Sequence, residues 1–299
     1  MTLVTDEVSI ECVIAIAREA SKIAMEGFNK VKKIDTKVSV ADLVTEYDVA
    51  TEDFIKQEVL KRFPHHAFLA EETSSNDSIL TSLPTWIIDP IDGTANFIHG
   101  IPLFCVSIGF ARSNEIIHGV VFNPSTEELW HATRGCGAWY SIGQAPPVRI
   151  STSTRIQLGS SIISTGFGVY YLRSGFAIPE VDTLKSVMMR NHETLITKSR
   201  DIRRFGSAAL DLCFVAMGRT DTFFEFGTRE WDIAAGLVIL DEAGGSVSSV
   251  GGSKLDIHAR NILACASVAL REELVSVLVD VDMLQVTDAI ASFKQKSTF

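Results

Sequence analysis

The chain has 299 residues, of which 46% are hydrophobic, and its formal net charge at pH 7 is -10. This length and apolar content suffice for a sizeable core in one large or two medium domains, and the acidic balance argues against a general nucleic-acid-binding surface. The sequence has no membrane span of about 20 apolar residues and no basic segment leading into an apolar one at its start, so we expect a soluble, cytoplasmic protein without membrane partners.

The first third of the chain alternates helical and strand patterns. An amphipathic helix is predicted from Asp6 to Phe28, and a second helix is predicted from about Asp48 to Phe63. The apolar run from Ala67 to Ala70 predicts a short strand, which ends at the acidic pair Glu71-Glu72. Asp48 therefore lies in a predicted first helical turn, where an acidic residue is favourable without any further role.

A second apolar run, Trp86 to Ile88, stops at the sequence Asp89-Pro90-Ile91-Asp92-Gly93-Thr94. We predict a buried strand here, with Asp89 leaving the sheet at the strand's carboxyl end, where open α/β sheets bind ligands. Two carboxylates three residues apart, with the Ile91 carbonyl between them, are hard oxygen ligands of the kind that Mg²⁺ prefers. A second strand that ends at Glu71 would bring another carboxylate to the same edge.

The residues after Asp92 suit an anion. Gly93 would allow the backbone to approach a phosphate closely, and Thr94 is a predicted N-cap for a helix that begins at Ala95. The alternative for the whole segment is a surface turn, because Asp, Pro and Gly are common turn residues.

The rest of the chain continues the alternation. Strands are predicted at 104 to 110, 119 to 123, 128 to 133, 160 to 165, 221 to 226 and 262 to 267. Helices are predicted near 180 to 191, 208 to 217, 232 to 243 and 269 to 280. This pattern predicts a mixed α/β protein of layered sheets covered by helices.

Two acidic residues stand out in the last third. Glu225 interrupts the apolar strand from Phe223 to Phe226, which favours hydroxyl recognition, although the solvent face of an alternating strand is the alternative. Asp232 lies in the first turn of a predicted helix, where a carboxylate suits the helix dipole even without a metal.

Glu71, Asp89, Asp92 and Asp232 together predict a cation site. Two like charges about 4 Å apart at an effective dielectric constant near 20 repel by roughly 4 kcal/mol. Such a cluster needs bound cations or shifted pKa values, and Mg²⁺ would also attract a phosphate ester. The arrangement predicts metal-assisted phosphate ester hydrolysis.

These motifs resemble those of the inositol monophosphatase family, which are Mg²⁺-dependent, lithium-sensitive sugar phosphatases. The likeness spans nearly the whole chain and is carried by Glu71-Glu72, Asp89 to Thr94, Trp231 to Gly236 and, as in bacterial-type members, Arg203 to Leu212. It implies an αβαβα sandwich and a homodimer. It also implies one domain over residues 1-299, with the site between halves of about 1-150 and 151-299.

The resemblance implies a role for each site residue. The metal ligands would be Glu71, Asp89, Asp92, Asp232 and the Ile91 carbonyl, with Asp89 bridging two ions. The catalytic residues would be Asp48, Glu71 and Thr94, with Thr94 and Asp48 helping to orient the attacking water. The substrate contacts would be Glu71, Asp92, Gly93, Thr94, Gly206, Ser207, Ala208, Glu225 and Asp232, with Glu225 facing the alcohol.

The implied reaction is hydrolysis of myo-inositol monophosphate by direct attack of a metal-activated water, without a phosphoenzyme. One alternative keeps this chemistry but changes the substrate to fructose 1,6-bisphosphate, histidinol phosphate or a nucleotide 3′-phosphate. Another is a non-catalytic binding subunit. The stretch from 165 to 200 looks longer than in animal members and places Tyr170, Tyr171 and Arg173 near the expected mouth of the site, where they bear on which alcohol leaves.

The remaining candidate residues have simpler interpretations. The five cysteines lie mostly in apolar contexts without metal-binding spacing, which predicts buried free thiols in a reducing compartment. His65-His66 follows a predicted helix end and is expected at the surface or in a cap. Arg203-Arg204 is expected to anchor a strand or an interface.

Overall fold

Two β-sheets alternate with three layers of helices, giving an αβαβα sandwich. The structure, a computed structural model, describes residues 7–28, 30, 34–36, 43–75, 78–172 and 176–297. Among these residues, no helix is long and apolar enough to cross a membrane. The mixed α/β class predicted from the sequence is confirmed.

The first half of the described chain forms a seven-stranded sheet. A short antiparallel pair, β1 (Ile34–Thr36) and β2 (Leu43–Thr45), precedes it. The strands of the seven-stranded sheet are β3 (Ala67–Ala70), β4 (Thr85–Asp92), β5 (Cys105–Arg112), β6 (Glu115–Asn123), β7 (Glu128–Thr133), β8 (Ala138–Ile142) and β9 (Val148–Ile150). These strands pair in chain order, with β3 parallel to β4 and every later pair antiparallel.

The second half forms a five-stranded mixed sheet. Its strands are β10 (Ile162–Thr165), β11 (Asp201–Arg203), β12 (Thr222–Phe226), β13 (Ser246–Ser248) and β14 (Asn261–Cys265). Their order is β11-β10-β12-β14-β13. Strand β10 is parallel to both of its neighbours, whereas β14 is antiparallel to both of its own.

Helices cover both sheets. Helices α1 (Ile10–Phe28) and α2 (Glu46–Arg62) pack on the outer face of the first sheet. The short α3 (Thr94–Ile98) and α4 (Val169–Leu172) lie in loops, and α5 (Pro179–Lys198) covers the outer face of the second sheet with α8 (Val268–Val277) and α9 (Met283–Ser297). Between the sheets lie α6 (Ala208–Ala216) and α7 (Glu230–Glu242).

Strand alternation determines which residues face the middle helix layer. In β4, Ile87 packs in the core that contains α6 and α7, whereas its neighbours Trp86 and Ile88 pack against α1 and α2. In β12, Phe223 belongs to the middle core and Phe224 to the outer one. Because side chains two residues apart share a face, Glu225 points to the same side as Phe223 rather than to the outer face.

The prediction that Asp89 leaves the sheet at the end of its strand is wrong. Strand β4 continues to Asp92, because β5 pairs Ser107 with Asp89 and Cys105 with Asp92. A register shift between the two aspartates marks a β-bulge, a feature that redirects side chains next to functional sites. The proline and glycine that suggested a strand end therefore coincide with a bulge.

Other differences concern element ends and short elements. Helix α1 is described from Ile10, and its predicted start at Asp6 lies outside the described residues. Helix α5 runs to Lys198, beyond its predicted end near 191, and α8 ends at Val277 instead of 280. The sequence did not predict the strands β1, β2, β8, β9, β11 and β13 or the helices α4 and α9. Most of these strands span only three residues, too few for a periodic pattern to be recognised.

The expectation for His66 is also wrong. Its side chain is only 6% exposed, and its Nδ1 accepts a 3.0 Å hydrogen bond from Nε1 of the fully buried Trp86. The ring also stacks on Phe63 at 4.8 Å between centroids. The cysteines follow the prediction in part: Cys105, Cys213 and Cys265 are buried and Cys12 is half-buried, but Cys136 is exposed, and all five are free thiols.

Replacing His66 with alanine should lower the free energy of unfolding by about 2 to 4 kcal/mol, because the buried Trp86 N–H loses its acceptor and a cavity remains. Urea denaturation followed by tryptophan fluorescence measures this loss. The adjacent, exposed His65 is the matched control, and His65→Ala should change stability by less than about 0.5 kcal/mol. Equal effects of the two substitutions would contradict the burial of His66.

Candidate active site

Parallel strands β3 and β4 place the first two acidic residues side by side. Ala70 pairs with Ile88, and the backbone N–H of Glu71 donates to the Ile88 carbonyl at 3.1 Å. Asp89 is the next residue of β4, so both acids follow the same pair of strand residues. Asp89 is 2% exposed, and its Oδ1 accepts a 3.1 Å bond from the backbone N–H of Ile91.

The bulge at the end of β4 directs Asp92 to the start of α6. Its Oδ2 accepts hydrogen bonds from the Ser207 hydroxyl at 2.6 Å and from the Ala209 N–H at 2.7 Å. Ser207 is also the N-cap of α6, where its oxygen accepts from Leu210 N–H at 3.3 Å. Asp92 therefore connects the first sheet to the N-terminus of a middle-layer helix, where a carboxylate is favourable.

Asp232 reaches the same space from the first turn of α7. Its Oδ2 accepts a 2.7 Å bond from the backbone N–H of Arg229, the residue before the helix. Helix α7 packs against β4, β5 and β6 of the first sheet, which fixes its N-terminus beside Asp89 and Asp92. Asp232 therefore caps the start of α7, as expected from its position in the sequence, and also lies at the acidic cluster.

The three aspartates carry raised pKa values because they are removed from water and close to one another. Burial raises the pKa of Asp89 well above its usual range, with further increases from the charges of Glu71, Asp92 and Asp232. Burial likewise raises the pKa of Asp232. The pKa of Asp92 rises to about 6 through burial, although the bonds from Ser207 and Ala209 oppose the rise.

The donor set fits a hard divalent cation. Within the described ranges, none of the three aspartates forms an ion pair with lysine or arginine. Carboxylates and a backbone carbonyl are the ligands that such cations prefer. Nowhere in this described part are three or more Asp, Glu, His or Cys side chains already gathered at ion-binding distances, so the carboxylates line an open space rather than a closed cage.

Thr94 is not the N-cap that the sequence suggested. Helix α3 begins at Thr94 itself, and Gly93 precedes it with a left-handed φ of 96° that favours glycine. The Thr94 hydroxyl lies 3.3 Å from Asp48 Oδ1 and 3.2 Å from the Ile91 carbonyl. The structure thus brings Thr94 and Asp48 together.

Asp48 caps helix α2 and also contacts Thr94. It is fully buried, and its Oδ2 accepts bonds from the Thr45 N–H at 2.9 Å and the Thr45 hydroxyl at 2.5 Å, forming the capping box of α2. Its other oxygen faces Thr94. The helix cap therefore holds a carboxylate behind the threonine.

Glu225 lies on the opposite side of the same space. A Cβ on Gly166 would come within 1.7 Å of Glu225 Oε1, so only glycine at this position leaves room for the carboxylate. Burial raises the pKa of Glu225 to about 7, against the opposing charge of Arg204. The Arg204 guanidinium also lies 5.6 Å from the centroid of the Phe167 ring.

These groups enclose a polar cavity of about 250 Å³. Every predicted site residue lines it except Asp48, which contacts it through Thr94. The predicted residues on its wall are Glu71, Asp89, Ile91, Asp92, Gly93, Thr94, Gly206, Ser207, Ala208, Glu225 and Asp232. Residues of both sheets thus meet at one pocket.

Several polar residues of this wall were not predicted as site residues from the sequence, among them Thr165, Arg204, Asp211 and Thr228, and Tyr171 was expected only near the mouth. Arg204, expected at a strand or interface, lines the pocket, and so does the buried Asp211. Tyr171 also lines it and accepts a 3.2 Å bond from Arg260 Nη1. Arg173 and the side chain of Tyr170 lie outside the described part of the chain. Asp211 could have been flagged as an acid inside an apolar helix.

Comparisons with known proteins agree with one another. The model of the inositol monophosphatase family matches residues 6–283. Inositol monophosphatase 2 of Mus musculus is 38% identical over 259 residues, which are 86% of this chain and 85% of that protein. The suhB protein of Bartonella henselae is 33% identical, with 89% of this chain and 96% of that chain covered and a TM-score of 0.76.

A third relative was crystallised with ligands. SaIMPase-II of Staphylococcus aureus, in its inositol monophosphate-bound structure, is 26% identical, with 97% of this chain and 98% of that chain covered and a TM-score of 0.71. The same protein was also crystallised bound to 2′AMP.

The acidic cluster should make a divalent cation more stabilising at high pH than at low pH. Aspartates in the unfolded chain titrate near pH 4, whereas the pKa of Asp92 in the folded protein is about 6. The folded protein therefore loses stability as the pH rises from the unfolded pKa through the raised folded values. A bound cation lowers the folded pKa values and removes this loss. We expect the Tm increase on adding MgCl2 to chelator-treated protein to be larger at pH 8 than at pH 5 by about 5 °C.

Differential scanning fluorimetry measures these Tm values, with NaCl at matched ionic strength as the control. A Tm increase of equal size at both pH values would contradict a cation bound by these carboxylates.

Proposed function

The chain belongs to the inositol monophosphatase family, and on that premise we propose that it hydrolyses myo-inositol monophosphate to inositol and phosphate with Mg²⁺ as its cofactor. The observation that carries the proposal is the pocket in which buried, mutually repelling carboxylates face Glu225 across a space of about 250 Å³. Family membership makes the chain an enzyme and sets aside the non-catalytic binding subunit.

Glu71, Asp89, Asp92, Asp232 and the Ile91 carbonyl would hold the ions, and Asp89 is the proposed bridge between two of them. Bound Mg²⁺ would lower the pKa of the attacking water, neutralise the phosphate and stabilise the leaving alkoxide. The carboxylates supply the negative charge that attracts the cations, and their burial strengthens this attraction because the local dielectric constant is lower than that of water.

Thr94 and Asp48 would orient the water. Asp48 Oδ2 accepts hydrogen bonds from the N–H and hydroxyl of Thr45, and its Oδ1 accepts one from the Thr94 hydroxyl. The Thr94 oxygen can then accept a hydrogen bond from a water in the pocket. No covalent nucleophile is needed, and the phosphate would lie against the backbone of Gly93 and Thr94.

Glu225, with Gly206, Ser207 and Ala208, would contact the alcohol. A carboxylate that faces the pocket from β12 can accept hydrogen bonds from ring hydroxyls, which favours a polyhydroxylated alcohol as the leaving group. Nucleotide phosphates are the second candidate, since the related SaIMPase-II was crystallised with 2′AMP.

Three further properties are proposed from the family resemblance and from the cysteines. The resemblance is the basis on which we propose that the protein is sensitive to lithium and forms a homodimer. We propose a cytoplasmic location because the described cysteines are free thiols and mostly not exposed, as expected in a reducing compartment.

Phosphate release with Mg²⁺ should be fastest, by kcat/KM, for inositol 1-phosphate. The competing substrates are fructose 1,6-bisphosphate, histidinol phosphate, adenosine 3′,5′-bisphosphate and 2′AMP, and we expect a preference of about 10-fold or more because Glu225 accepts bonds from the ring hydroxyls. A higher kcat/KM for any competitor would refute the substrate assignment.

Asp89→Asn serves as the control for chemistry in the same assay. It should reduce turnover of every substrate by about 100-fold or more at all Mg²⁺ concentrations, because it removes a ligand charge. Asp241→Asn changes an exposed carboxylate that pairs with Arg134 away from the pocket, and it should leave turnover unchanged. Near-normal rates for Asp89→Asn would refute the metal assignment.

A further inference from the structure

Asp211 is a buried carboxyl group that the proposed reaction does not use. It lies in the first turn of α6, is only 2% exposed and lines the pocket. Its backbone N–H is satisfied by the Ser207 carbonyl at 3.0 Å. Its side-chain Oδ1, however, has no hydrogen-bond partner among the described residues.

Burying an oxygen without a hydrogen-bond partner costs free energy, so the place of Asp211 on the pocket wall indicates that a ligand can interact with it. Leaving such an atom unsatisfied costs about as much as a lost hydrogen bond, and buried polar groups are therefore almost always paired with protein, water or ligand. Because the Asp211 side chain borders the open cavity, a group bound there can lie against its carboxyl group.

The neighbours of Asp211 identify the kind of group. Glu225 and Arg204 line the same side of the pocket, and their charges act on Asp211. Two carboxyls and one guanidinium provide several hydrogen-bonding sites for hydroxyls.

We propose that Asp211 is a specificity-determining residue that hydrogen-bonds a hydroxyl of the leaving alcohol, alongside Glu225, so that the site selects alcohols with two or more hydroxyls. This inference rests on the proposed phosphatase function and deepens it.

Either protonation state of Asp211 serves this role. Burial raises its pKa well above the usual range, whereas the Ser164 hydroxyl and the Arg204 charge oppose the rise. Oδ1 accepts a hydrogen bond from a substrate hydroxyl when ionised, and the carboxyl can donate one when protonated.

The test compares Asp211→Ala and Asp211→Asn on two substrates. Inositol 1-phosphate offers ring hydroxyls, whereas 4-nitrophenyl phosphate has an alcohol with no other hydroxyl. Asp211→Ala should raise KM for inositol 1-phosphate about 10-fold or more, with kcat and the hydrolysis of 4-nitrophenyl phosphate changed less than about threefold. Asp211→Asn keeps hydrogen-bonding atoms in the same place and should restore KM to within about threefold of wild type.

Two controls separate specificity from folding. The Tm of each variant is measured, and Asp182→Ala removes an exposed carboxylate from the first turn of α5, away from the pocket, which should change neither substrate's kinetics. Equal losses on both substrates, or an unchanged KM for inositol 1-phosphate in Asp211→Ala, would overturn this inference alone. Failure of the wild-type enzyme to hydrolyse inositol 1-phosphate would overturn the proposed function and, with it, this inference.

Discussion

Mutual repulsion among buried carboxylates is the constraint on which this site depends. Asp89, Asp92 and Asp232 all have raised pKa values, because burial and neighbouring negative charges disfavour ionisation. The fold holds them together although they repel, so the rest of the protein supplies the free energy that keeps them there. Cations that bind between the carboxylates would turn this repulsion into attraction, and the same cations would attract the negatively charged phosphate of a substrate.

Hydrogen bonds between the two halves of the chain keep the carboxylates in place. Asp92 at the end of β4 is bonded to Ser207 and Ala209 at the start of α6. Nearby, Asn96 Nδ2 lies 2.6 Å from the Leu103 carbonyl and 2.7 Å from the Phe205 carbonyl, so the loop after β4 is tied to the segment before α6. The proposed metal ligands and the wall proposed to face the alcohol are therefore positioned by the same contacts, and a shift of one half would disturb both.

Much of this arrangement is predictable from the sequence, because acids at the ends of apolar runs mark where strands and helices deliver side chains. Glu71 and Asp89 follow from two strands, and Asp232 follows from a helix start. The β-bulge that extends β4 to Asp92 is not predictable, since it depends on pairing with β5, which is distant in sequence. The same holds for His66, whose burial depends on Trp86, twenty residues away.

The wall that we propose to face the alcohol is the least predictable part of the site. Arg204 and Asp211 lie in or beside α6, and only the packing of the middle helix layer turns them toward Glu225 on β12. Gly166 is equally unremarkable in the sequence, although its missing side chain makes room for the Glu225 carboxylate. The positions of the proposed alcohol contacts therefore depend on tertiary packing to a greater degree than those of the proposed metal ligands do.

The most direct test of the central claim is a crystal structure of the protein soaked in Mn²⁺, with anomalous scattering used to locate the ions. The account predicts anomalous peaks in the pocket, within ligand distance of Asp89 and of at least two of Glu71, Asp92 and Asp232. An occupied Mn²⁺ site elsewhere with none among these carboxylates, or no peak at saturating Mn²⁺, would contradict it.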